Sequence, residues 1–118
     1  MNKTVTLIVP CYNEEESLPI FYRAVCDVAR GLPQYQLSLL FVNDGSKDGT
    51  LKVMRELAAR DERVRYISFS RNFGKEAAMY AGFCNAKGDY VAVMDADMQD
   101  PPALLPQMLE ILETGEYD

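Results

Sequence analysis

The sequence predicts a single α/β domain in which a mainly parallel, Rossmann-like sheet lies between two layers of helices. Short apolar runs alternate four times with segments whose apolar residues recur at the spacing of an amphipathic helix. Each run is nearly continuous in apolar character, as is typical of strands that are covered on both faces. Strands and helices that alternate in this way favour right-handed crossovers and parallel strands. With 118 residues, the chain has the length of one domain.

The first two strand–helix units occupy the amino-terminal half of the chain. The run TVTLIVP, from Thr4 to Pro10, predicts the first strand, and LSLLFVN, from Leu37 to Asn43, predicts the second. Each run is followed by apolar residues at helical spacing, which predict an amphipathic helix. These residues are Leu18, Phe21, Tyr22, Val25 and Ala29 in the first helix, and Leu51, Met54, Leu57 and Ala58 in the second.

The last two units repeat the same design. The run VRYISFS, from Val64 to Ser70, predicts the third strand, and YVAVMD, which starts at Tyr90, predicts the fourth. The helical faces that follow are Ala77, Ala78, Ala81 and Gly82 in the third unit, and Leu104, Leu105, Met108, Leu109 and Leu112 in the fourth. Because the residues of the third face are small, we expect that helix to lie close to its neighbour.

Polar residues follow each of the predicted strands. In open parallel sheets, ligands bind at the carboxyl ends of the strands, where the strand order reverses. If the order is the common 3-2-1-4, this reversal lies between the first and the fourth strand. We therefore expect the first loop, CYNEEES, to face the fourth loop, DADMQDPP, across a crevice.

Composition excludes several classes of partner. The net charge is -6, so no overall basic field attracts nucleic acid. No apolar run approaches the about 20 residues that span a bilayer, and the amino terminus lacks a signal-peptide core. The three cysteines lack CxxC spacing, which favours a reducing cytoplasm over disulfides or zinc. The chain has no histidine, so we expect any metal to be a hard ion bound by oxygen.

The stretch DADMQDPP brings carboxylates close together after the fourth strand. Asp95 and Asp97 form an Asp-x-Asp pair, and Gln99 offers an amide oxygen two residues further on. Because like charges at this spacing repel each other, the pair predicts a positive partner. Oxygen ligands without sulfur or imidazole favour Mg2+ or Mn2+, which also binds phosphate oxygens. Asp100, which precedes two prolines, is instead predicted to be the N-cap of the fourth helix.

The first two loops leave more than one interpretation open. Asn13 and Glu16 have the spacing of a helix capping box, which is an alternative to a role in binding. Tyr12 either stacks on a planar base or caps the core. Asp44, at the end of the second strand, is positioned to accept a hydrogen bond from a nucleobase or a ribose hydroxyl.

Further side chains after the second and third strands suit a helix cap or an anionic ligand. Ser46 or Asp48 is expected to cap the second helix. Arg71 and Lys75, near the start of the third helix, are either solvated charges or phosphate ligands. Neither GxGxxG nor GxxxxGK[ST] is present, which disfavours a dinucleotide or P-loop enzyme. With these two classes disfavoured, the remaining interpretation is a nucleotide site that depends on a metal ion.

Four motifs together carry a resemblance to a known family. They are VPCYNEEESL, VNDGSKDGT, SRNFGKEAA and MDADMQDPP, and they extend over essentially the whole chain. In their order and spacing the chain resembles the nucleotide-binding part of inverting GT-A glycosyltransferases of family 2. The third and fourth motifs are most similar to those of the polyprenyl-phosphate hexose synthases, such as dolichyl-phosphate mannose synthase and undecaprenyl-phosphate glycosyltransferases.

The resemblance implies roles for individual residues. The substrate-binding residues that it implies are Pro10, Tyr12, Asn13 and Glu14 in the nucleotide pocket, Asp44 at the base, Asp95 by the ribose and diphosphate, and Ala96. The metal ligands that it implies are Asp97 and Gln99, and the catalytic residues are Asp95 and Asp97. Many members have an aspartate where this chain has Asn43, so the role of that position stays open.

The function that the resemblance implies is transfer of a hexose, with inversion, from a nucleoside-diphosphate sugar to a polyprenyl phosphate. The metal would neutralise the leaving diphosphate. The acceptor phosphate is already an anion at neutral pH, so it needs no general base. Family members continue into an acceptor-binding half and often into transmembrane helices. We therefore expect residues 1–118 to be the nucleotide-sugar-binding part of a longer protein at the cytoplasmic face of a membrane, and to be inactive alone.

Several alternatives remain at this stage. The acceptor is a polysaccharide or cell-wall polymer in other branches of the family. A nucleotide-binding module without catalysis would carry the same loops. A haloacid-dehalogenase-type phosphohydrolase also uses Asp-x-Asp, although its motif normally follows the first strand.

The fourth strand predicts self-association of the 118-residue form. In the 3-2-1-4 order it becomes the edge of the sheet when the downstream half is absent, and it is apolar, without lysine or proline. We therefore expect this form to be a homodimer.

Overall fold

The computed structural model of the protein, which describes residues 3–98 and 101–114, contains a four-stranded parallel sheet with helices on both faces. Its strands are β1 Lys3–Cys11, β2 Tyr35–Asn43, β3 Val64–Ser68 and β4 Tyr90–Val93. Its helices are α1 Ser17–Arg30, α2 Thr50–Arg60, α3 Lys75–Asn85 and α4 Leu105–Thr114. The strand order is β3-β2-β1-β4, which confirms the predicted fold class and the predicted reversal between β1 and β4.

The sheet separates two hydrophobic cores, because successive side chains of a strand point to opposite faces. On one face, Val5, Leu7 and Val9 of β1 belong to a core that includes buried residues of α1, α2 and α4. On the other face, Ile8 packs with Ala78 of α3. The fold therefore has the three layers that the sequence predicts.

The four strands differ in how well they are covered. β1 and β2 lie in the middle of the sheet, and their carboxyl-terminal halves are buried on both faces. β3 is an edge strand, and its Arg65 and Tyr66 are exposed. Every residue of β4 is only half-buried. The expectation that all four strands are covered on both faces is therefore correct for the two central strands and wrong for the two edges.

Helix α3 lies very close to β1, as its small residues predict. A Cβ atom placed on Gly82 would overlap the side chain of Ile8, which is fully buried. The helix also carries large side chains on its outer side, where Tyr80 and Phe83 are exposed. Small residues therefore face the sheet, and the bulky ones face away from it.

Two local predictions about helix starts are corrected. The capping box of Asn13 and Glu16 is not formed, since α1 begins at Ser17 and Glu16, in the N-cap position, makes no capping hydrogen bond through its side chain. Leu104 lies in a short 3-10 helix, Pro102–Leu104, ahead of α4. The predicted cap Asp100 lies outside the described residues.

None of the helices within residues 3–98 and 101–114 combines the length and the apolar character that crossing a bilayer requires.

The contact between α3 and β1 makes a prediction about stability. We expect Gly82→Leu to lower the free energy of unfolding by about 1–3 kcal/mol, because extra side-chain volume at a closely packed site forces its neighbours apart. Leucine also has a higher helix propensity than glycine, which adds up to about 1 kcal/mol of stability, but we expect the loss from overpacking to be larger. The midpoint of urea unfolding, read together with an unchanged slope, measures it.

Gly31→Ala is the matched control, because an added Cβ there meets only the carbonyl oxygen of Val28 at 3.5 Å, an ordinary contact. Equal midpoints for the two variants would contradict the close packing of α3 on β1.

Candidate active site

A crevice of about 220 Å3 lies where the carboxyl ends of β1 and β4 meet, at the predicted reversal of strand order. Its lining residues are Pro10, Cys11, Tyr12 and Glu14 after β1, Asp44 after β2, Lys75 at the start of α3, and Asp95 and Asp97 after β4. These residues carry four carboxylates and one ammonium group. The first and fourth loops therefore face each other, and the crevice has an excess of negative charge.

Two residues with predicted roles in binding do not line the crevice. Asn13 has a left-handed backbone with φ of 53°, and its side chain belongs to the neighbouring contact with the second loop. Ala96 is 1% exposed and lies in the hydrophobic core, so its methyl group anchors the turn between Asp95 and Asp97. Gln99, the second predicted metal ligand, lies outside the described residues.

Asn13 joins the first loop to the second. Its backbone N–H donates to the hydroxyl of Ser46 at 2.9 Å, and its side-chain oxygen accepts the N–H of Lys47 at 2.8 Å. These contacts explain why Asn13 does not cap α1: its amide oxygen is engaged by a residue that is distant in sequence. Asn13 therefore stabilises the first loop, which forms one wall of the crevice, through contacts outside the crevice.

The start of α2 fastens the same two loops together. The N–H of Glu14 donates to the hydroxyl of Thr50 at 2.8 Å, and Thr50 is fully buried. The N-cap position is Gly49, not Ser46 or Asp48, and it makes no capping bond through a side chain. The carboxylate of Asp48 nevertheless accepts the N–H of Thr50 at 2.9 Å, so it satisfies a donor of the first turn.

The carboxylate of Asp44 binds the loop that leads into α3. One of its oxygens accepts the N–H of Phe73 at 2.8 Å, and the other accepts the N–H of Gly74 at 3.0 Å. The side-chain amide of Asn72 adds bonds to the carboxylate at 3.2 Å and to the Asp44 carbonyl at 3.1 Å. Asp44 is only 4% exposed, so these donors supply most of the hydrogen bonds that its buried charge needs.

Gly45 allows the second and third loops to touch. Its φ is 68°, a conformation that side chains with a Cβ rarely adopt. A Cβ at this position would also overlap the backbone of Arg71 and Asn72. The sequence pattern Asp-Gly signals a turn, but this close approach is a tertiary contact that no local pattern reveals.

Asn43, the position that differs from many family members, is buried and uses both ends of its amide. Its nitrogen donates to the hydroxyl of Ser68 at 3.1 Å, and its oxygen accepts the N–H of Ser46 at 3.0 Å. It therefore ties the end of β2 to the end of β3 and closes the turn after β2.

The two predicted phosphate ligands lie in different surroundings. The ammonium of Lys75 forms an ion pair with Asp95 at 2.8 Å inside the crevice. The guanidinium of Arg71 instead lies 4.7 Å from the ring centre of Phe73, as in a cation–π contact, and Arg71 is not a lining residue. The sequence suggests both cations, and the structure brings one of them to the carboxylates.

Cys11 is a lining residue that the sequence analysis did not select. It is 2% exposed, and burial raises the pKa of its thiol above the ordinary value, with a further contribution from the negative charges of Glu14 and Asp95. A thiol with a raised pKa stays protonated at neutral pH, so it is a poor nucleophile and a poor metal ligand. Cys11 therefore contributes packing to the crevice floor. Its place in the apolar run of β1 is the sequence signal that could have predicted this role.

The donors in the crevice suit a hard divalent cation. Asp95 and Asp97 offer carboxylate oxygens from the same loop, and no imidazole is present in the chain. Among the described residues no group of three histidine, cysteine or acidic side chains could enclose a metal by itself. An ion held here by one or two carboxylates keeps positions for water and phosphate oxygens, as Mg2+ does in nucleotide sites.

Several curated proteins that are similar to this chain have names that mention bactoprenol or undecaprenyl phosphate. The chain is 43% identical over 111 residues to a prophage bactoprenol glucosyl transferase homolog of Escherichia coli strain K12, with 94% of this chain and 36% of that protein covered. It is 37% identical to the undecaprenyl-phosphate 4-deoxy-4-formamido-L-arabinose transferase of Pseudomonas fluorescens, with 97% of this chain and 33% of that protein covered. The chain thus spans about a third of the length of these relatives.

A solved structure and a family comparison agree with the fold class. The mannosyltransferase PcManGT of Pyrobaculum calidifontis, in complex with GDP-Man and Mn2+, matches with a TM-score of 0.70 and 25% identity, over 82% of this chain and 28% of that one. The family described as "Glycosyl transferase family 2" matches residues 6–118, which is nearly the whole chain. The protein therefore belongs to glycosyltransferase family 2, and its α/β fold matches that of GT-A glycosyltransferases.

Proposed function

We propose that residues 1–118 form the nucleotide-sugar-binding part of an inverting glycosyltransferase that moves a hexose to a polyprenyl phosphate. The observation that carries this proposal is the meeting of Asp95 and Asp97 with the β1 loop in one crevice at the reversal of strand order. The relatives named for bactoprenol and undecaprenyl phosphate support the acceptor class. Because those relatives are about three times as long, the transfer itself is proposed for the whole protein.

The nucleotide would lie along the loop after β1. Tyr12 is 42% exposed at the crevice, so its ring has a free face on which a planar base can stack. Pro10 and Glu14 line the same wall, and Asp44 lies at its end. Since most of the hydrogen-bonding capacity of Asp44 is used by the α3 loop, we propose that it offers the base at most one further acceptor position.

The metal would be Mg2+ or Mn2+, held by Asp97 and Gln99, with Asp95 beside the diphosphate. Among the described residues that line the crevice, four carboxylates outnumber one ammonium group, so the crevice is negative, and a diphosphate is negative as well. A divalent ion removes this repulsion and, when bound, stabilises the charge that develops on the departing diphosphate. The complex of PcManGT with GDP-Man and Mn2+ supports this choice of ion.

The acceptor would be a lipid phosphate that reaches the crevice at the cytoplasmic face of a membrane. A phosphate monoester is an anion at neutral pH, so its attack on the sugar requires no proton acceptor. A polysaccharide hydroxyl would need a general base, a role that a carboxylate can fill. The names of the relatives favour the lipid phosphate over the cell-wall polymer as acceptor.

Metal-dependent nucleotide binding tests the proposal on the 118-residue chain. We expect UDP, GDP or their hexose derivatives to bind at least about tenfold more tightly in Mn2+ than in EDTA, which corresponds to about 1.4 kcal/mol. Asp97→Asn should remove most of this difference, because one carboxylate ligand is lost. Isothermal titration calorimetry measures both effects.

Asp27→Asn is the matched control, since it removes the same charge from an exposed ion pair on α1. Equal nucleotide affinity in Mn2+ and EDTA would contradict the bridging cation. A loss in Asp27→Asn as large as in Asp97→Asn would show that overall charge, and not the crevice, controls binding.

We also propose a second copy of this chain as a partner at the edge of β4. Within the described residues β4 pairs with β1 alone, so its outer edge has unpaired backbone groups. An apolar groove runs beside it, lined by Val91, Ala92, Val93, Met108, Ile111 and Leu112. A two-fold axis through antiparallel β4 strands would pair both edges and cover both grooves with identical surfaces.

Light scattering coupled to gel filtration tests the dimer. We expect twice the monomer mass of 13.3 kDa at micromolar concentrations. Ile111→Lys should give a monomer, because Ile111 lies in the groove and is 40% exposed. Ile20→Lys should remain a dimer, because Ile20 is 57% exposed on α1 and lies outside the groove. A wild-type monomer throughout this range would refute the proposal.

A further inference from the structure

The position of Lys75 is fixed by the contacts of the loop that precedes it. Lys75 is the first residue of α3, and Gly74 before it has a φ of 102°. The carboxylate of Asp44 accepts the N–H groups of Phe73 and Gly74, so the start of α3 is attached to the end of β2. The close approach of Gly45 to the same loop removes the space in which it could move. Lys75 therefore enters the crevice from a rigid support.

The ammonium of Lys75 lies beside one member of the carboxylate pair. Its nitrogen is 2.8 Å from an oxygen of Asp95, and the two side chains are 60% and 27% exposed. An ion pair with this much exposure is weakened by solvent, so it is easily exchanged for another partner. Both residues line the crevice in which a nucleoside diphosphate would be bound.

Other positive groups near this position are already engaged. The guanidinium of Arg71 lies over the ring of Phe73. The N–H groups of Phe73 and Gly74, just ahead of the first turn of α3, donate to the carboxylate of Asp44. Of the residues lining the crevice in the described part of the chain, Lys75 is the one with a cationic side chain.

We propose that Lys75 is a substrate-binding residue that exchanges its contact with Asp95 for the outer phosphate of the nucleoside diphosphate. The inference rests on the proposed nucleotide-binding function and extends it to a second source of positive charge. A charge-assisted hydrogen bond from an ammonium group to a phosphate is stronger than an exposed ion pair. The exchange also frees Asp95 to face the metal side of the site, next to Asp97. Lys75 and the divalent ion would then share the negative charge of the diphosphate.

The test compares the affinities of nucleoside diphosphates and monophosphates in variants of Lys75. UDP and UMP, and GDP and GMP, are titrated by calorimetry into the wild-type chain, Lys75→Met and Lys75→Arg, in Mn2+ and in EDTA. We expect Lys75→Met to bind the diphosphate at least about tenfold more weakly, the effect of losing about 1.4 kcal/mol. The monophosphate should lose less than about threefold, or about 0.7 kcal/mol. Lys75→Arg should retain most of the preference for the diphosphate.

Lys87→Met controls for the change in net charge, because Lys87 is exposed and lies before β4, at the opposite end of the sheet. Its affinities should equal those of the wild type. Lys75→Gln, which keeps a polar side chain without the charge, should behave like Lys75→Met if the ammonium charge is what matters.

Two results would overturn the inference while leaving the proposed function intact. One is a Lys75→Met variant that binds the diphosphate as tightly as the wild type. The other is an equal loss for the monophosphate and the diphosphate, which would place the contact away from the outer phosphate. If the wild-type chain binds none of the four nucleotides, the proposed function fails, and the role of Lys75 fails with it.

Discussion

The buried carboxylate of Asp44 is the interaction on which the shape of the crevice depends. It lies at the end of β2, yet it binds backbone donors of a loop about thirty residues further along the chain. A carboxylate that is 4% exposed must be hydrogen-bonded, because burial of an unpaired charge is costly. The donors of residues 72–74 meet this requirement and at the same time fix the start of α3. The requirement of one buried charge therefore positions the wall that carries Lys75.

The balance of charge in the crevice follows from the same arrangement. Parallel strands end at the same edge of a sheet, so the loops after β1, β2 and β4 bring Glu14, Asp44, Asp95 and Asp97 together. Asp44 is compensated by backbone donors and Asp95 by Lys75. A nucleoside diphosphate bound here, as we propose, would add further negative charge to this surface. A divalent cation bound by oxygen donors would neutralise part of that charge.

The sequence predicted the sheet order and the opposed loops because both follow from the alternation of apolar strands with helices. The prediction was weaker where a residue's partner is distant in sequence. Asn13 fits a local capping box, but its amide accepts the N–H of Lys47 instead. Ala96 lies between two crevice carboxylates, but the direction of its side chain is set by packing in the core.

Residues at the edges of the sheet and in the third loop show the same limit. The local apolar pattern of β3 is typical of a buried strand, and the exposure of its Arg65 and Tyr66 follows from its place at the edge of the sheet. Asn72 carried no signal in the sequence, because its role is defined by a tertiary contact with Asp44. Lys75 was suggested by its place at the start of a helix, and its ion pair with Asp95 distinguishes it from Arg71.

The central claim is that a divalent cation and a nucleoside diphosphate bind together where β1 and β4 end. Paramagnetic broadening of amide NMR signals by Mn2+, measured with UDP or GDP present, tests it most directly. Thr4 and Cys11 lie seven residues apart in β1, which separates the two ends of the sheet by about 23 Å at about 3.3 Å per residue. The account predicts strong broadening at Tyr12, Lys75 and Ala96, with little effect at Thr4 and Lys87. Broadening that is uniform over the surface, or that is centred away from the crevice, would contradict it.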